Sequence, residues 1–161
     1  RASCASAGAD ESTLVTCSAP PPGTSILELM GSCRHGESDD CVGYPLDPMA
    51  GPFEANFPIM FGNDMSAPDR DAFLARLGPD NWPLSSYTHR DWRYAHLSSF
   101  PSTFVLCERD MALTPAWQER FAATLRVTNT VRIDAGHQVM NSQPEALADV
   151  LLAQTGGDRV R

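Results

Sequence analysis

Asp110 and His137 are the side chains of this sequence best suited to moving a proton. A carboxylate beside an imidazole fixes the ring's tautomer and stabilises the imidazolium, which leaves the other ring nitrogen to take a proton from a nucleophile. Asp110 closes the run Cys107-Glu108-Arg109-Asp110, and His137 closes Asp134-Ala135-Gly136-His137. Each stands three residues past a segment that reads as a strand. Asp134 and Glu108 are rival partners for His137, the first at a strand end. A second group, Cys33, His35, Asp39, Asp40 and Cys41, gathers side chains that ligate metals, but its spacing matches no zinc pattern and the segment reads more simply as an acidic loop. No metal or other cofactor is expected. His89 and His96 flank Trp92 and Tyr94 and receive no role. All twelve basic residues other than histidine are arginine, so Schiff-base chemistry and the phosphate-cradling G-x-x-x-x-G-K-[ST] loop, which both need a lysine amine, drop out.

The pair has to be positioned by regular elements. Thr103-Phe104-Val105-Leu106-Cys107 is a continuous apolar run, suited to a strand buried on both faces of a parallel sheet. Thr114 can cap the helix that follows, Pro115 suits its first turn, and Trp117, Phe121 and Leu125 repeat every four residues to an end near Arg126. Thr130 to Asp134 reads as a second strand. Ser142 with Glu145 reads as a capping box for a helix through Leu147, Leu151 and Leu152, stopped by Gly156 and Gly157. Strand, helix, strand, helix predicts parallel pairing and an α/β fold, in which functional groups collect just beyond the carboxyl ends of the strands. Asp110 and His137 stand there.

Upstream, Leu14 to Cys17 is short and β-prone and runs into Pro20, Pro21 and Pro22. Ser25 with Glu28 forms a capping box for a helix to about Met30, ended by Gly31. Residues 31 to 65 read as irregular, a lid or long insertion, and 67 to 77 as a helix capped by Ser66. Trp82, Tyr87, Trp92 and Tyr94 either cover a cavity or bury their rings in the core, the commoner use of such clusters.

The 161 residues fit one domain, and 42% apolar content allows a sizeable core. A net charge of −8 argues against nucleic acid as a partner. No apolar run reaches the ~20 residues that cross a bilayer, and residues 1 to 13 lack the regions of a signal peptide, so no membrane partner is expected. Five cysteines without a C-x-x-C pair suit reduced thiols, and a cytoplasmic location is the expectation. The sequence opens on Arg1 and not on methionine, which suggests a fragment, a processed product or a truncated gene.

The surroundings of the pair resemble the C-terminal signature of the α/β-hydrolase superfamily, whose triad runs serine, acid, histidine along the chain. PSTFVLCERDMALTPAWQ, from Pro101 to Gln118, looks like the family's acid strand, loop and helix, and VRIDAGHQVMNSQPE, from Val131 to Glu145, looks like its histidine loop. LVTCSAPPPGTSILEL, from Leu14 to Leu29, resembles the strand and proline-rich entry to the cap in esterase and hydroxynitrile-lyase-like members. The resemblance implies a partial α/β-hydrolase domain: core strand region 1–19, mainly helical cap 20–100, and C-terminal core 101–161 with the acid and histidine loops. It implies a parent enzyme that hydrolyses a small, largely apolar ester or related acyl bond, with Asp110 and His137 as its catalytic acid and histidine. No G-x-S-x-G occurs in residues 1–161, and Ser25, Ser38 and Ser142 sit on no strand-to-helix elbow, so this chain alone is expected to be inactive or nearly so. A hydroxynitrile-lyase-like enzyme, or a non-catalytic ligand- or partner-binding remnant, is the alternative. A partial domain of this kind would also expose a sheet edge open to self-association.

Overall fold

The computed structural model describes residues 11–30, 52–78 and 83–154. Three strands, β1 (Ser12–Val15), β2 (Ser102–Cys107) and β3 (Asn129–Ile133), form one parallel sheet in the order β1-β2-β3. β2 is central, and all six of its residues are buried, as its unbroken apolar run requires of a strand covered on both faces. The register places Phe104 beside Leu14 on one side and Thr130 on the other. β1 begins two residues before the Leu14–Cys17 segment that sequence suggests, because Ser12 already donates its amide to the carbonyl of Pro101. It stops at Val15 because Thr16 turns the chain with a φ of 41°. Among the described residues β1 pairs on one side alone, which leaves its other edge open.

Helix α5 (Pro115–Leu125) links β2 to β3. Thr114 caps it by accepting the amide of Trp117, and Arg126 ends it in the left-handed region. Its apolar stripe, Trp117, Phe121 and Leu125, packs with Phe104 and Leu106 on one face of the sheet. On the other face Val105, Cys107, Ile133, Ala135 and Val139 meet Leu147 of α7 (Pro144–Gln154). The expected Ser142 cap is not formed there. Ser142 ends a separate single turn, α6 (Val139–Ser142), and its hydroxyl donates to the carboxylate of Asp64. Leu151 and Leu152, expected along that helix, are exposed at 41% and 66%.

Between β1 and β2 lie α1 (Ile26–Met30), α2 (Phe57–Gly62), α3 (Ala67–Leu74) and α4 (Leu84–Thr88). The Ser25 and Glu28 capping box is present in both directions, at 2.8 Å and 3.1 Å. Phe53–Asn56 forms a 3₁₀ turn leading into α2, so the described end of the segment read as irregular is helical. α3 stops at Leu74, three residues earlier than expected, and the amides of Arg76 and Leu77 turn back to Phe73 and Leu74. Trp92 and Tyr94 are half-buried and tie their polar ends to the carbonyls of Thr24 and Pro20, so these rings fasten the proline-rich segment to the core edge. Trp82, Gly31 and the Cys33–Cys41 group lie outside the described residues.

Burial pushes the Cys107 thiol up to about 12, helped by the charges of Asp110 and Asp64. Burial, then Cys17, raises Tyr94 to about 12 as well. Both groups hold their protons more tightly folded than unfolded, so their contribution to stability is complete below the unfolded values of ~8.5 and ~10 and is lost as pH rises toward 12. The melting temperature is expected to hold to about pH 8.5 and fall steadily above it, with a shallower fall in Cys107→Ala. A flat melting temperature to pH 11 would contradict this burial.

Candidate active site

β2 and β3 are neighbours and parallel, so the loops at their carboxyl ends emerge side by side. Backbone bonds lock them together: Glu108 donates to the Ile133 carbonyl and Arg109 to that of Ala135, both at 2.9 Å. Arg109 also grips Asp134 with its guanidinium, at 2.7 Å to the carboxylate and to the carbonyl. Glu108 faces Arg132 at 3.6 Å. The two rival carboxylates are thus turned toward arginines.

The structure brings Asp110 and His137 together, Nδ1 lying 2.8 Å from Oδ2. The Asp110 side chain is fully buried, whereas the imidazole keeps 19% of its surface exposed. The carboxylate accepts N–H donors on both oxygens in that setting: Ala112 and Leu113 both donate to Oδ1 at 2.8 Å, and the Gln118 amide donates to Oδ2 at 3.3 Å. With Oδ2 accepting, Nδ1 carries the imidazole proton and Nε2 is the basic nitrogen. Phe61 of α2 covers the imidazole at 5.5 Å between ring centres, and Thr16 donates to the His137 carbonyl at 3.5 Å.

Gln118 escaped the sequence reading. It is fully buried, accepts the amide of Cys107 at 2.9 Å, and donates to the carbonyls of Cys107 and Leu113 at 3.1 Å and 2.7 Å. The signal was available, since Gln118 precedes Phe121 by three residues and puts a polar group on the apolar stripe of α5. Asn63 and Asp64 were missed as well. Asn63 donates to the carbonyl of Arg109 at 2.7 Å, and Asp64 accepts the amide of Gly136 at 2.6 Å. Ser25 is occupied in its capping box, and Ser142 in its bond to Asp64. His89 and His96 are exposed, with His89 edge-on to Trp92 at 4.7 Å. No cluster of metal-ligating side chains occurs among the described residues, and no described helix is long and apolar enough to cross a membrane.

Residues 3–150 match the model of the alpha/beta hydrolase family. A probable hydrolase, R7, of a Phoma species is 38% identical over 61 residues, covering 35% of this chain and 25% of that protein. Among solved structures, an extracellular alpha/beta-hydrolase from a Paenibacillus species superposes with a TM-score of 0.64 at 15% identity over 90% of this chain. A pyrethroid hydrolase from Sphingobium faniae gives 0.61 at 14% over 92%, and polyneuridine aldehyde esterase gives 0.61 at 14% over 91%. The chain covers 61% of the first of these structures and 62% of each of the other two. With 148 of its 161 residues matched, in a parallel sheet whose loops bring Asp110 against His137, the chain belongs to the alpha/beta hydrolase family.

Proposed function

We propose that this chain carries the acid and the base of a serine-dependent hydrolase acting on a small, apolar ester or related acyl bond, with the nucleophile supplied from outside residues 1–161. The observation that carries the reading is the 2.8 Å contact between a fully buried, N–H-saturated Asp110 and a partly open His137. The basic Nε2 takes the proton of the attacking serine and returns it to the departing alkoxide; the Nδ1 proton stays with Asp110, which orients the ring and stabilises the imidazolium. A water molecule then attacks the acyl-enzyme, again through Nε2. Residues 20–100 are the proposed cap, and Phe61 gives it an apolar surface over the base. Family membership supports the hydrolase class, and the names of the esterase and pyrethroid hydrolase support an ester as the bond cleaved. A non-catalytic binding remnant is the second reading, favoured by the absence of G-x-S-x-G from residues 1–161.

A fluorogenic short-chain ester assay separates the two. Residues 1–161 alone are expected to give no turnover above background. The same chain extended upstream is expected to hydrolyse the ester, with loss of about 10⁴-fold or more in kcat on His137→Ala. Turnover by the short chain that survives His137→Ala would overturn the proposal. So would an extended chain that carries a serine elbow and is inactive, which would favour the binding remnant.

A further inference from the structure

The two loops that carry the acid and the base are held from a third direction. Asn63 is the C-cap of α2, and Asp64 follows it in the connection to α3. Asn63 Nδ2 donates to the carbonyl of Arg109, the residue just before Asp110, at 2.7 Å. Asp64 Oδ2 accepts the amide of Gly136, the residue just before His137, at 2.6 Å. The same oxygen accepts the hydroxyl of Ser142 at 2.5 Å, five residues after His137. One dipeptide thus touches the acid loop once and the histidine loop on both sides of the imidazole.

Two further features fit this placement. Asp64 Oδ1 is buried and accepts no hydrogen bond among the described residues, so Oδ2 makes both of the carboxylate's bonds to the histidine loop and its flank. Gly136 has no room for a side chain, since a Cβ there would lie 2.5 Å from Asn63 Oδ1 and 2.6 Å from Asp64 Oδ1. The glycine before the histidine therefore permits the close approach of the clamp.

We propose that Asn63 and Asp64 are positioning residues that set the Asp110–His137 contact, so that the seating of the α2–α3 segment controls whether His137 is held as a base. The inference rests on the proposed role of His137. Phe61, two residues before Asn63, lies on the imidazole, so a ligand displacing that aromatic ring would pull on the same connection. The clamp works by geometry: both donors meet one carboxylate oxygen, and an asparagine at 64 offers an amide oxygen in its place.

The test is nitrogen-resolved NMR of the His137 imidazole in the chain of residues 1–161, read as the hydrogen-bonded Nδ1 proton and the tautomer it reports. In the native chain the Nδ1–H form is expected with a strongly downfield proton, abolished by Asp110→Asn. Asp64→Ala and Gly136→Ala are expected to lose that signal, and Asp64→Asn to restore it, with circular dichroism spectra matching the native chain. If Asp64→Ala does not fold, Asn63→Ala and Ser142→Ala, which each remove one bond of the clamp, are expected to weaken the signal at least twofold. A native signal in all these variants would overturn the clamp. Loss in Asp64→Asn equal to that in Asp64→Ala would overturn it too, leaving a purely electrostatic effect. If Asp110→Asn leaves the signal unchanged, the acid and base assignment itself fails, and the clamp with it.

Discussion

Asp110→Asn is expected to cut ester turnover of the nucleophile-bearing protein by about 10³ to 10⁴-fold while leaving its fold in place. The asparagine oxygen can keep the amides of Ala112 and Leu113, both 2.8 Å from Oδ1. Its amide nitrogen then stands where Oδ2 stood, against Gln118 Nε2 and His137 Nδ1. A donor facing Nδ1 forces that nitrogen to accept, which moves the imidazole proton to Nε2 and removes the basic site. Circular dichroism and kcat measured on the same sample check both halves of the statement. Near-native turnover would mean that the proposed pair does no work in the reaction.

Gln118→Ala is expected to cost the fold about 3 kcal/mol or more, a large share of the stability of one domain. Its side chain bridges the last residue of β2 to Leu113 and Asp110, all within a region closed to water. Truncation strips partners from buried amide and carbonyl groups and leaves a cavity besides. Gln118→Met fills most of the volume and restores none of the hydrogen bonds, so it is expected to recover less than half the loss. Urea unfolding of the two variants beside the native chain measures the difference. Equal stability of Gln118→Met and the native chain would show that packing, and not hydrogen bonding, holds this loop.

The acid loop was legible in sequence because it follows an apolar run that a central parallel strand must have, and the histidine loop because Thr114 and Pro115 announce a helix that leads into a second, more exposed strand just before it. Asp110 was already preferred to Asp134 and Glu108 in sequence, by its place past the strand and its fit to the resembled acid position; the arginine partners of the two rivals, Arg109 and Arg132, came only with the structure. Ser142 shows how a local motif yields to a distant partner: its spacing to Glu145 fits a cap, but Asp64, 78 residues away, takes its hydroxyl. Thr16 is similar. Nothing in the Leu14–Cys17 run marks the residue that turns to a positive φ and ends β1 early. Asn63 and Asp64 sit in a stretch that reads as loop, and their bonds to Arg109 and Gly136 span 46 and 72 residues, beyond the reach of any periodicity.

The central proposal is that residues 1–161 hold the base and its carboxylate for a serine that lies elsewhere. Labelling with a fluorophosphonate, which reacts with activated serine hydroxyls, tests it most directly when followed by mass spectrometry of the labelled peptide. The proposal predicts no labelled serine in the chain of residues 1–161. In the chain extended upstream it predicts one labelled serine, outside those residues, and loss of the label in His137→Ala. A serine within residues 1–161 that labels and depends on His137 would contradict it.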